Sequence, residues 1–135
     1  MSYTINEVAS KFGLSAHTLR YYDKEGLLPF VARNKSGNRI FTDADLDWIK
    51  LICCLRDTGM PIKEIKTYSD LWLVGSRTSE NRKSMLLEHR KEIVQQMKQL
   101  KQNLQLIDTK IEFYDNPDNV RLMDLHLKST TTMKR

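Results

Sequence analysis

Two basic clusters and one pair of thiols hold most of the chemistry available to this sequence. Arg20, Tyr21 and Tyr22 are consecutive, and Arg33, Lys35 and Arg39 follow closely. Cationic heads hold phosphates and tyrosines add flat contact surface, so these residue types suit a DNA groove and its flanking backbone. Cys53 and Cys54 supply nucleophilic sulfur. No Cys-x-x-Cys motif, phosphate loop or acid–base constellation accompanies them, so an enzyme is not expected. His17, His89 and His126 are scattered along the chain. A thiolate metal site needs several converging ligands, so neither a metal nor another cofactor is expected.

The elements that would position these residues are marked by caps and turns. Thr4 with Glu7 makes a capping box ahead of Ile5, Val8 and Phe12, which recur on one helical face. Gly13 ends that helix and Ser15 caps the next. Two short helices around a tight turn make a helix-turn-helix. His17, Thr18, Arg20 and Tyr21 then lie on its recognition helix, and Tyr22, about 100° from Tyr21, turns partly into the core. Gly26 closes this helix. Residues 30–41 read as a hairpin around Asn34-Lys35-Ser36-Gly37-Asn38. Following a helix-turn-helix, that hairpin is a wing. Thr42 caps a third helix reaching about Thr58. Pro61 suits a first helical position, and a fourth helix runs to about Val74.

Gly75 to Ser79 breaks the chain as a linker after a head spanning residues 1–74. From Glu80 to Asp115 one long polar helix is expected. Leu86, Ile93, Met97, Leu100, Leu104, Ile107, Ile111 and Tyr114 form an a/d seam, with Arg90 its single gap. So polar a helix cannot bury a core alone, so the seam points to dimerisation through a coiled coil. A stripe packed back on the same chain is the plainer alternative. Asn116-Pro117 ends the helix. In residues 116–135, Val120 to Leu127 reads as a short helix, and Lys128 to Arg135 as frayed and partly disordered.

Composition sets wide bounds. The 135 residues carry a formal net charge of +5, compatible with a polyanionic partner without requiring one. No apolar run approaches a membrane span, and the N-terminus lacks the layout of a signal peptide. A cytoplasmic protein with reduced cysteines is expected.

The run Thr18-Leu19-Arg20-Tyr21-Tyr22, then Gly26-Leu27-Leu28, Arg33, Gly37-Asn38-Arg39 and Phe41 resembles the MerR family of bacterial transcription regulators. Asp45-Leu46 through Gly59 and Ile62-Lys63-Glu64-Ile65 fit its next two helices, so the likeness covers about residues 2–115. Pro29 stands one residue earlier than in many members. The resemblance implies a mainly α fold: a winged helix-turn-helix head with a small β-hairpin wing, then a long helix forming an antiparallel coiled coil. It also implies a homodimer on two-fold double-stranded promoter DNA. Such a dimer bends and untwists the DNA, acting on RNA polymerase indirectly.

Arg20 is then expected to bond a phosphate or read guanine, with Asp23 and Glu25 as rival partners. His17 suits a base edge or a merely solvated surface. Arg33, Lys35, Asn38 and Arg39 are expected to hold phosphates, with Lys63 and Lys66 as further candidates. About twenty residues follow the long helix, too few for a separate ligand domain. Cys53 projects to the edge of an apolar arc, as free cysteines usually do. Cys54 projects to the polar side, among Asp43, Asp47 and Lys50. The run Cys54-Leu55-Arg56-Asp57 looks like the lone-cysteine site of one MerR branch, which senses aldehydes, nitric oxide or other thiol-reactive species. Two other readings stand beside a Cys54 sensor: a ligand-independent or architectural DNA-binding regulator, and a coiled-coil adaptor or small thiol protein.

Overall fold

A computed structural model describes residues 1–133. The chain divides into two compact units, Met1–Arg90 and Lys91–Arg135. In the first, β1 (Ser2–Thr4) leads into α1 (Ile5–Phe12) and α2 (Ala16–Lys24). The wing strands β2 (Ala32–Arg33) and β3 (Arg39–Thr42) precede α3 (Asp43–Asp57) and α4 (Ile62–Val74). The sheet has three antiparallel strands in the order β1-β3-β2. The expected two-stranded wing therefore has a third strand, with Tyr3 opposite Phe41.

Local hydrogen bonds set the helix starts. Thr4 and Glu7 close the expected capping box on α1, and Thr42 with Asp45 closes one on α3. Ser15 Oγ accepts from the Thr18 N–H and caps α2. Gly13 has a φ of 65°, left-handed backbone that glycine adopts without a Cβ penalty. It turns α1 into α2. Pro61 occupies the N-cap of α4 rather than its first helical position.

Leu19, Leu27, Leu28, Phe41, Ile49, Ile52 and Ile65 are almost wholly buried. Each such side chain contributes roughly 1.5–3 kcal/mol from transfer alone. Two polar anchors fix the end of α2 on this core. The Trp48 indole donates to the Leu27 carbonyl at 2.7 Å, and the Ser69 hydroxyl donates to the Gly26 carbonyl at 3.2 Å. The recognition helix is thus braced from behind by α3 and α4.

The residues read as a linker are more ordered than their composition suggested. Ser76–Thr78 forms a 3₁₀ turn, and the buried Thr78 hydroxyl donates to Leu71 O at 2.6 Å. The long helix α5 spans Ser79–Asp115. Leu86, expected to begin the dimer seam, packs instead against the core of the head. In the second unit, α6 runs Pro117–Met133. It extends well past the short helix expected there and replaces the frayed segment as far as Met133. The last two residues of that expectation lie outside the described ones. No helix among the described residues is long and apolar enough to cross a membrane.

Candidate nucleic-acid interface

The recognition helix α2 divides its two tyrosines as its periodicity requires. Tyr22 is 2% exposed and Tyr21 is 45% exposed. Arg20 and His17 are also exposed, and neither has a hydrogen bond or ion pair among the described residues. Thr18 is half-buried, its hydroxyl 2.9 Å from Ser15 Oγ. Arg20 borders a cleft of about 470 Å³ that it shares with Asn34, Asn38 and Arg39 of the wing and Asn6 and Glu7 of α1. Residues far apart in sequence thus meet beside one exposed helix.

The wing is built around Asn34. Its side-chain carbonyl accepts from the backbone of Ser36 and of Asn38, both at 3.0 Å. Gly37 turns the tip at a φ of 82°. Lys35 and Asn38 are exposed there, available to phosphates.

Arg33 and Arg39 depart from expectation. Arg39 Nε donates to Asp23 Oδ2 at 2.6 Å, and both side chains are less than a quarter exposed. Arg33 Nη2 lies 3.6 Å from the same carboxylate, while its Nη1 donates to the Gly37 carbonyl at 2.8 Å. Arg39 is therefore largely shielded within the head and ties wing to recognition helix, while the more exposed Arg33 lies at the edge of the same carboxylate. Asp23 was foreseen only as a rival partner for Arg20. Its position as the acid nearest a basic cluster was the available signal. With Asp23 occupied, Arg20 keeps its charge for the surface. Lys66 is likewise paired, 3.1 Å from Asp70 Oδ2, an exposed pair that competes with a phosphate role. Lys63 remains exposed.

At the other end of α3, Cys53 is half-buried against the core and Cys54 is exposed. Burial pushes the Cys53 thiol up from its ordinary pKa, against a smaller lowering by Arg56. Thr58 Oγ1 lies 2.7 Å from the Cys54 carbonyl oxygen and 2.7 Å from Nε2 of the buried His89 on α5. A hydroxyl has one proton to give, and a carbonyl only accepts. Thr58 therefore donates to Cys54 and accepts from His89, which places a proton on Nε2. His89, set aside in the sequence as one of three scattered histidines, is a structural link. No His/Cys/Asp/Glu group among the described residues could hold a metal ion.

Residues 3–71 match the MerR HTH family regulatory protein pattern, and residues 46–110 match the MerR DNA-binding pattern. The chain belongs to the MerR family. It is a DNA-binding transcription regulator of the MerR type, and its relatives are regulators rather than enzymes. An uncharacterised HTH-type transcriptional regulator of Haemophilus influenzae is 46% identical over 114 residues, 84% of each chain. AdhR of Bacillus subtilis, another HTH-type transcriptional regulator, is 42% identical over 67% of this chain and 65% of its own. Among solved structures, HiNmlR, a MerR family regulator lacking the sensor domain and bound to promoter DNA, superposes with a TM-score of 0.80. It is 46% identical over 85% of this chain and 91% of its own. A MerR regulator from Listeria monocytogenes gives 0.81 at 32% identity, over 98% of this chain and 99% of its own.

Proposed function

We propose that this MerR regulator works as a homodimer that distorts promoter DNA and responds to thiol-reactive compounds through Cys54. The supporting observation is the chain of contacts beginning at that residue. Cys54 is the exposed thiol of α3, and its carbonyl is bonded to Thr58, which is bonded to His89 on the dimerisation helix. Modification of the thiol would disturb the last turn of α3 where it meets α5.

The DNA-facing set in this reading is His17, Thr18, Arg20 and Tyr21 on α2, with Lys35 and Asn38 on the wing and Lys63 behind. Arg33 and Arg39 act first by fixing the wing. Met97, Leu100, Leu104, Ile107, Ile111 and Tyr114 are each more than half exposed and supply the apolar seam that a second copy covers. Ile93 adjoins them. Bending and untwisting a short duplex costs about 1–6 kcal/mol, a range that two protein states can span with different contacts. RNA polymerase then senses the protein through the shape of the DNA.

Promoter-dependent transcription with and without an aldehyde or nitric oxide donor tests this in wild type and Cys54→Ser. Induction of wild type alone is expected. An equal response from Cys54→Ser would remove the cysteine from the mechanism and leave a ligand-independent regulator.

A further inference from the structure

The chain has two tryptophans, and both stand in one cleft of the head. The cleft lies between the first half of α3 and the last half of α4, with Phe30 of the loop before the wing as a third side, and has a volume of about 440 Å³. Three rings gather on Trp48. Phe30 meets it edge-on at 5.2 Å, Trp72 meets it at 5.6 Å and 59°, and Tyr68 stacks on it at 5.8 Å. Phe30 and Trp72 are inclined to each other by 48°. Rings inclined in this way do not cover one another's faces.

The charged lining is acidic. Asp45 and Asp47 border the cleft and no Lys, Arg or His does, in a chain whose formal net charge is +5. Asp45 is only 5% exposed. One of its oxygens accepts the Thr42 N–H at 2.9 Å and caps α3. The other has no partner among the described residues. No fully buried side-chain oxygen among those residues is left unpaired, so this one opens to solvent. Asp47 is exposed, and neither acid has an ion pair among the described residues.

Filling the core accounts for Trp48 and Tyr68, which are buried. It does not account for Trp72, 43% exposed, nor for two uncompensated carboxylates beside an aromatic wall. The face of an aromatic ring attracts a cation through its quadrupole, and a carboxylate adds to the same attraction. A primary ammonium would bring three N–H donors into a largely apolar lining, each needing an acceptor. A quaternary ammonium brings the charge with no donor and an apolar shell. The volume is within the ordinary size of small-ligand clefts.

We propose that this cleft binds a small quaternary ammonium ion, held on the faces of Trp48 and Trp72 with Asp45 and Asp47 balancing its charge. The site is separate from Cys54, which lies toward the opposite end of α3. Trp48 also donates to the Leu27 carbonyl, so the occupant sits against a side chain that anchors the end of the recognition helix.

Choline and its uncharged analogue with carbon in place of nitrogen test this, because they share a shape and differ in charge. Both indoles lie in the cleft, so tryptophan fluorescence reads it directly, and calorimetry at constant ionic strength checks the affinity. Choline should bind, and the uncharged analogue should bind at least about tenfold more weakly. Trp72→Ala and Asp47→Asn change exposed side chains. Each should melt as wild type does and bind choline several-fold more weakly. Equal binding of the two ligands would show a cleft that ignores charge and would overturn the proposal. So would choline affinity unchanged in both variants, or choline that alters neither fluorescence nor heat.

Discussion

The Nε of Arg39 on β3 lies 2.6 Å from Oδ2 of Asp23 on the recognition helix. Hydrogen bonds between ionised groups are shorter and stronger than neutral ones, and this one is largely shielded from water. It sets the angle of the wing against α2. Asp23→Asn and Arg39→Gln should each lower unfolding free energy by about 1 kcal/mol, and the double variant should lose less than the sum. Urea denaturation measures all three. If Arg39→Gln instead weakens DNA binding with stability unchanged, Arg39 is a phosphate contact after all.

Arg20 has no intramolecular partner among the described residues because Asp23 is already held by the wing. Arg20→Ala should therefore leave thermal stability nearly unchanged while weakening duplex binding. Each lost phosphate contact should flatten the slope of log affinity against log salt by about 1. Fluorescence anisotropy across a salt series reads both effects. A variant with wild-type affinity and slope would place Arg20 outside the interface.

What was legible in the sequence follows the range of the forces involved. The capping boxes at Thr4 and Thr42 join residues three apart, so residue types alone declare them. The split of Tyr21 from Tyr22 follows from helical rotation in the same way. β1 was missed because three residues carry no alternation to read, and its pairing partner Phe41 lies in the wing. The clamp of Arg33 and Arg39 on Asp23 was missed for a related reason: a basic hairpin looks the same whether its charges face phosphate or a carboxylate across the fold. Leu86 satisfies the heptad rule, yet the head reaches it first. Lys128 to Arg135 is rich in threonine and lysine, which composition read as fraying, yet α6 continues as far as Met133.

Cys53 and Cys54 are adjacent in sequence and differ in surroundings. Burial raises the pKa of Cys53, so its reactive thiolate is scarcer at neutral pH, while Cys54 is exposed. Iodoacetamide should therefore label Cys54 well before Cys53, by mass spectrometry of timed digests. The gap should narrow as pH rises and the Cys53 thiolate becomes available. Faster labelling of Cys53 would reverse the assignment of core and surface thiol.

The Thr58 hydroxyl joins the end of α3 to His89 on α5, at 2.7 Å on each side. Thr58→Val keeps the shape and removes both bonds. The buried imidazole would lose the acceptor for its Nε2 proton, at a cost of about 1–3 kcal/mol. Denaturation should show that loss. Basal duplex binding should survive, because α2 is held by Trp48 and Ser69 rather than by Thr58. If Cys54 signals through this link, the aldehyde response should fall in Thr58→Val while alkylation of Cys54 proceeds as in wild type. Thr58→Ser retains the hydroxyl and should recover both stability and response. A full response in Thr58→Val would show that the signal leaves Cys54 by another route.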